Sequence, residues 1–219
     1  MAQVKLVRRW ASTPPYQAPP AVAAVRTSGS GVVVGIAAST GGPNALRKVL
    51  ADLPPEFDLP ILVVQHIASG FAEGLATWLS SATGRSVVLA LHGDPLMPGV
   101  CYVAPDDKHL GVASGKIVLS DSPPVEGFRP SATYMFGSLA RSAGPSAIGV
   151  ILTGMGSDGV AGLRELKEQG GSVIVQDEAT SDVWGMPGAA MRAGLATSGT
   201  ALDEIAARIV RTTAERRPA

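Results

Sequence analysis

Apolar runs of strand length alternate with segments of helical periodicity along most of this chain. VVVGI at 32–36, ILVV at 61–64, VVLAL at 87–91, IGVIL at 148–152 and VIV at 173–175 are largely apolar and rich in β-branched residues. Continuity, rather than polar alternation, is the pattern of strands buried on both faces. Between them, residues 43–53 carry Leu46, Val49 and Leu50 at helical spacing, and residues 71–79 place Phe71, Leu75 and Leu79 on one face. Further helices are expected at 131–142, 159–168 and about 202–212. Such an order predicts an α/β fold of the doubly wound kind, a mostly parallel sheet with helices on both faces. The stretch 100–120 changes character. CYVAP, HLGVA and KIVLS read as short strands, and Ser114-Gly115 between the last two is a hairpin signal, so a short antiparallel excursion is expected there.

Composition narrows the class. The 219 residues fit one domain with a sizeable core, and 46% hydrophobic with 16% charged residues is globular. Eighteen basic residues balance eighteen acidic ones, so no global field attracts nucleic acid or an anionic membrane. No apolar run reaches transmembrane length. The single cysteine, Cys101, excludes an intramolecular disulfide and reads as a buried structural thiol. Residues 1–30 are proline-rich and lack acidic residues. Arg8-Arg9 is followed only by the short AVAAV, a poor export signal, and a flexible leader or linker remnant is the expected reading. The folded domain is expected over 31–213, with 214–219 as a tail.

Three of the apolar runs deliver chemistry at their ends. VVVGIAAST leads into Ser39, ILVVQH ends in His66, and AIGVILTGMGSDG reaches Asp158 through a glycine-rich turn. Ligands of parallel α/β sheets bind at the strand C-termini, and Ser, His and Asp arriving there together are the parts of a nucleophilic triad. Each has a rival reading. Ser39, with Ala37 before it and Gly41 after, resembles a nucleophile elbow, but S-T-G-G also suits a helix cap or an anion loop. His66 is the base by position, while His92 and His109 are expected to be solvated. Asp158 competes with a role as N-cap of the helix near Gly159. Asp106, Asp107, Asp177 and Glu178 are weaker candidates, since none joins a strand end to a glycine turn. The histidines and Cys101 lack metal-ligand spacing, so neither a metal nor a cofactor is expected.

At these residues the chain resembles the catalytic domain of the CheB family, the chemotaxis protein-glutamate methylesterases. The matching blocks are G-I-A-A-S-T-G-G-P at 35–43, V-V-Q-H at 63–66, Y-V-A-P at 102–105, R-P-S at 129–131, T-G-M-G-S-D-G at 153–159, Q-D-E-A-T at 176–180 and G-M-P at 185–187. The resemblance implies Ser39 as nucleophile, His66 as base and Asp158 as its orienting partner, with the backbone N–H groups of Thr40 and Met155 as oxyanion donors. It further implies a cytoplasmic hydrolase acting on glutamate γ-methyl esters of chemoreceptor helices, with deamidation of receptor glutamines as a companion activity. Two departures stand out. The family usually carries a receiver domain ahead of the esterase, and residues 1–30 cannot form one. A stand-alone esterase or an excised domain is therefore expected, with control left to a separate regulatory protein or to receptor docking. Thr133 stands where relatives often have aspartate. Two other classes remain open: a catalytically silent receptor-binding module, and a phosphate-binding domain built on S-T-G-G, which lacks the P-loop lysine.

Overall fold

The computed structural model describes residues 31–216. In chain order it comprises β1 (Val33–Ala38), α1 (Gly42–Asp52), β2 (Ile61–Gln65), α2 (Ala72–Thr83), β3 (Ser86–Leu89), β4 (Val100–Val103), β5 (His109–Ala113) and β6 (Lys116–Ser120). There follow α3 (Ala132–Ala143), β7 (Ala147–Ile151), α4 (Val160–Glu168), β8 (Ser172–Val175), α5 (Met186–Arg192) and α6 (Ile205–Ala214). Six strands form one sheet in the order β3-β4-β2-β1-β7-β8, with every pairing parallel. The chain passes from β1 through β2 to β3 at the edge, steps back to β4 between β2 and β3, and then crosses to β7 on the other side of β1. The direction reverses between β1 and β7, and the crevice beyond their C-termini is the topological switch point.

Both faces of the sheet are covered, which is why its strands read as continuous apolar runs. Val34, Ile36 and Ala38 of β1 point into a core shared with Leu46 and Leu50 of α1, Leu79 of α2 and Ile209 of α6. Val33 and Ala37 point into a second core with Phe136 and Leu139 of α3, Leu163 of α4, Met186 of α5 and Leu110 of β5. Cys101 lies in the first core, where desolvation pushes its thiol up to about 12, the charge of Arg85 acting weakly the other way. It is inert, as its sequence context suggests.

The doubly wound architecture agrees with the sequence reading, with finer detail at three places. CYVAP is not part of the excursion, because β4 pairs parallel with both β2 and β3. Among the described residues the antiparallel strand pair is β5–β6, a separate two-stranded sheet. The helix α5 was not expected: it is seven residues long, begins at Met186-Pro187, and lies under the G-M-P block. The expected leader at 1–30 lies outside the described residues.

One buried hydroxyl of α3 ties down the hairpin at Val112. Ser138 Oγ accepts from Val112 N–H at 2.7 Å and donates to Val112 C=O at 3.0 Å, satisfying both backbone groups of a β5 residue away from water. An alanine there strands two buried backbone groups, and a stranded group costs about 1–3 kcal/mol. Ser138→Ala is therefore expected to lower stability by about 2–6 kcal/mol, read as a reduced urea midpoint at unchanged m-value. An unchanged midpoint would mean that the hairpin is docked by something else.

Candidate active site

The strand register brings Ser39 and His66 side by side. Ala38 of β1 is paired with Gln65 of β2, so Ser39 and His66 are the next residue on each strand, and His66 N–H still bonds Ala38 C=O at 2.9 Å. On the other flank of β1, Leu152 N–H reaches Ala37 C=O and Ser39 N–H reaches Thr153 C=O at 3.0 Å. Ser39 is thus held between the ends of β2 and β7, half-buried, at the switch point.

Two buried amides fix the backbone around it. Gln65 Nε2 donates to Ser39 C=O at 2.8 Å and to His66 C=O at 2.9 Å, tying the two segments together. Gln176, fully buried, accepts from Thr153 N–H through Oε1 at 2.7 Å and donates to Thr180 C=O. Thr153 Oγ1 in turn donates to Thr40 C=O at 3.0 Å. The turn itself requires glycine at Gly41, which has φ 78° and whose Cβ would lie 2.3 Å from Asp182 Oδ2. Gly154 is a second such place: a Cβ there would come 2.6 Å from Ser39 Cβ and 2.6 Å from Met186 Sδ.

Asp158 meets His66 across the sheet end. His66 Nε2 lies 2.8 Å from Asp158 Oδ2, with side chains 9% and 1% exposed. The rest of the carboxylate is taken up by the start of α3. Ala132 N–H donates to Oδ2 at 2.7 Å, while Thr133 N–H and Ser131 Oγ donate to Oδ1 at 3.0 and 2.8 Å. Burial works against the charged carboxylate, but the bonds from His66, Thr133, Ala132 and Ser131 outweigh it and hold Asp158 below the usual aspartate range. The positive end of the α3 dipole acts in the same sense.

The helix-cap reading of Asp158 is answered by this geometry. The N-cap of α4 is Gly159, with no side-chain cap bond. Asp158 instead binds the N-terminus of α3, whose own N-cap Ser131 accepts from Tyr134 N–H. Among the weaker acids, Asp106 accepts from Gly70 N–H, Asp177 from Thr180, and Asp107 lies 4.0 Å from Arg129. None of them bonds His66.

The His66 ring stacks flat on Phe128, centroids 4.1 Å apart and planes 4° apart. With Nε2 bound to Asp158, its buried Nδ1 has no hydrogen-bond partner, and the Ser39 hydroxyl does not reach it. The N–H groups of Thr40 and Met155 find no backbone acceptor among the described residues, and the Met155 side chain is 71% exposed. The assembly therefore holds a hydroxyl, an imidazole oriented by a buried carboxylate, and, at Thr40 and Met155, N–H groups with no backbone acceptor among the described residues. Such a set can carry out acyl transfer. Among the described residues no group of three or more His, Cys, Asp or Glu side chains could hold a metal ion.

One sequence expectation fails. His92 is exposed, but His109 is fully buried, with Nδ1 against Ser131 N–H, Nε2 against Pro123 C=O and its ring stacked on Tyr134. The polar PDDK preceding it suggested solvent, whereas β5 turns its first residue inward under α3. Sequence reasoning also passed over Gln65, Gln176 and Ser131, although all three lie inside the quoted blocks V-V-Q-H, Q-D-E-A-T and R-P-S, and it marked Thr133 only as a departure from the family pattern.

Comparison with known proteins places these residues in context. The CheB methylesterase family profile matches residues 34–209. A protein-glutamate methylesterase/protein-glutamine glutaminase of Myxococcus xanthus (strain DK1622) is 52% identical over 212 residues, covering 95% of this chain and 60% of the relative. The protein-glutamate methylesterase FrzG of Myxococcus xanthus is 45% identical, with 96% and 62% covered. The crystal structure of the Thermotoga maritima CheB methylesterase catalytic domain superposes with a TM-score of 0.78 at 36% identity, covering 82% of this chain and 97% of that one. The chain spans about three fifths of the length of the curated relatives it matches.

An asparagine at 158 offers one acceptor oxygen where the carboxylate offers two, and turns an NH₂ toward groups that are themselves donors. Asp158→Asn is expected to destabilise the protein by about 1–3 kcal/mol. The pH dependence follows from the lowered carboxyl. Its contribution is complete above the unfolded aspartate value of about 3.9 and is lost as pH falls through the lower folded value. Urea midpoints measured from neutral pH down to about 3 should show a steeper acid decline for wild type than for Asp158→Asn. Parallel declines would remove Asp158 from the linkage.

Proposed function

The chain belongs to the CheB methylesterase family, and from that premise we propose that it is a serine hydrolase cleaving glutamate γ-methyl esters on chemoreceptor helices, with deamidation of receptor glutamines as a second activity. The observation that carries this reading is the Asp158–His66 pair standing beside Ser39 at the switch point. Named relatives are described as protein-glutamate methylesterases, and several also as protein-glutamine glutaminases, which supports both activities. No described helix is long and apolar enough to cross a membrane.

In the proposed mechanism, Asp158 holds the Nε2 proton of His66 and leaves the lone pair on Nδ1. Nδ1 takes the Ser39 proton as Oγ attacks the ester carbonyl carbon. The tetrahedral oxyanion is held by the Thr40 and Met155 N–H groups. Collapse expels methoxide, which leaves as methanol with the proton from Nδ1; a glutamine substrate releases ammonia by the same route. Water, deprotonated by Nδ1, then attacks the acyl-serine and frees the glutamate and Ser39. The gap between Ser39 and Nδ1 is of the kind that closes when substrate binds.

The same reading makes Gly154 a spacer for the nucleophile. Ser39→Ala should remove activity by about 10⁴- to 10⁶-fold with the fold intact. Gly154→Ala pushes a methyl into Ser39 and should lower kcat by about 100-fold or more. Methanol released from methylated receptor is the measurement, with circular dichroism as the control for folding. Turnover by a folded Ser39→Ala protein at the wild-type rate would remove Ser39 from the mechanism. A wild-type chain that binds receptor but releases no methanol would favour the silent binding module.

A further inference from the structure

We propose that His109 is a positioning residue for the His66–Asp158 pair, acting through the N-cap of α3. This rests on the reading of Ser39, His66 and Asp158 as the reacting set. His109 sits on β5, remote in sequence from all three, and its hydrogen bonds and ring contact go to other residues. It bonds Ser131, and Ser131 bonds Asp158.

The argument begins with the N–H groups at the start of α3. A helix start leaves its first N–H donors without intrahelical partners, and buried ones must find acceptors elsewhere. Ala132 and Thr133 N–H go to Asp158, Tyr134 N–H goes to Ser131 Oγ, and Met135 N–H goes to Ser131 C=O. Ser131 N–H goes to His109 Nδ1 at 3.3 Å. Every donor from Ser131 to Met135 thus has a partner, and His109 supplies the one that places Ser131 itself.

The His109 tautomer is set by its neighbours. Pro123 C=O can only accept and Ser131 N–H can only donate, so the ring carries its proton on Nε2 and its lone pair on Nδ1. Tyr134 stacks on the ring with centroids 4.5 Å apart and closes the site on one side. A fully buried ring with both nitrogens engaged and one face covered has little freedom to turn. Ser131 is fully buried too, and its Oγ both donates to Asp158 Oδ1 and accepts from Tyr134 N–H. If Ser131 N–H loses its acceptor, the Oγ geometry relaxes, the carboxylate loses one of the donors that aim it, and the His66 ring is no longer held in one orientation.

A bland role is available, since His109 could merely anchor the hairpin. That anchoring already has its own device in Ser138 and Val112, which provides the control. Ser138→Ala loosens the hairpin without touching Ser131. The isosteres at 109 separate the two nitrogens. Asn places its carbonyl oxygen near the position of Nδ1, whereas Gln reaches the position of Nε2 and leaves Ser131 N–H unpaired. Phe keeps the stacked ring and removes both bonds.

The experiment measures kcat and KM for methanol release from methylated receptor, melting temperature, and the proton resonance of His66 Nε2–H in the full chain. The expected result is that His109→Gln and His109→Phe lose about 10- to 100-fold in kcat at unchanged KM, with the resonance shifted or broadened. His109→Asn should stay within about threefold of wild type, with the resonance retained, and Ser138→Ala should melt lower while keeping both kcat and the resonance. If His109→Phe does not fold, the Asn and Gln variants decide. The proposal is overturned if a folded His109→Phe or His109→Gln turns over like wild type. It is equally overturned if Asn loses as much as Gln and the losses follow melting temperature along the line set by Ser138→Ala. Should wild type release no methanol, the esterase reading falls, and the His66 resonance alone decides: unchanged in Gln, it overturns the positioning role; altered in Gln and kept in Asn, it supports it.

Discussion

Asp158 carries a negative charge into the protein at the point where α3 begins, and the rest of the site is arranged around making that charge stable. A buried carboxylate is costly unless its lone pairs are filled by donors. Here the helix start provides donors that themselves lack partners, so one contact removes two penalties. Ala132, Thr133 and Ser131 fill three positions on the carboxylate, and His66 takes a fourth. The bond returns in the other direction through Thr133 Oγ1, which accepts from Gly159 N–H at 2.8 Å. The turn after β7 and the first turn of α3 are thereby locked as a pair. Thr133 thus supplies an acceptor at this place while adding no second charge beside Asp158.

The nucleophile turn obeys the complementary rule. Ser39 has both backbone groups bonded, and its hydroxyl is left free of His66. Gln65 holds Ser39 C=O from the β2 side, and Thr153 holds Ser39 N–H and Thr40 C=O from the β7 side. These bonds are made by uncharged amides and a hydroxyl, which fill space between strand ends without bringing a charge there. Gly42 completes the fit, since a Cβ there would fall 2.0 Å from Gln65 Oε1. A site built this way can be rigid in its backbone while leaving the reactive oxygen free to meet a substrate.

Much of this was legible in the sequence, because two-sided burial writes itself into a strand as an unbroken apolar run. β1, β2, β7 and β8 could be read from such runs, and the residues following three of them are the ones gathered at the switch point. What could not be read are contacts between elements far apart in the chain. Nothing in PDDKHL signals that His109 turns inward, because burial there depends on α3 arriving over β5 more than twenty residues later. Ser131 and Thr133 look like ordinary helix-start residues until Asp158 is seen to bind them. β4 was misplaced for a similar reason: a four-residue strand at the start of a hairpin-rich stretch does not announce which sheet it joins. α5 is too short for periodicity to mark it, and its proline at the start was the one available cue.

The orientation of the His66 ring gives the strand register a chemical meaning. Nε2 lies at the far end of the imidazole and reaches Asp158, which comes from a loop 92 residues later. Nδ1 lies near the ring's attachment to Cβ, so its reach from the backbone is short. In the proposed mechanism, a nucleophile served by Nδ1 must sit on the adjoining strand at the matching position, because a loop further off could not be reached. The pairing of Ala38 with Gln65 supplies that position, and the bond from His66 N–H to Ala38 C=O extends it by one residue. A slip of one residue between β1 and β2 would turn His66 to the other face of the sheet relative to Ser39. The Val34-Ile36-Ala38 and Val33-Ala37 alternation, with a separate core on each side, opposes that slip. The packing of the two cores therefore does more than stabilise the sheet: it sets which serine the short arm of His66 can serve.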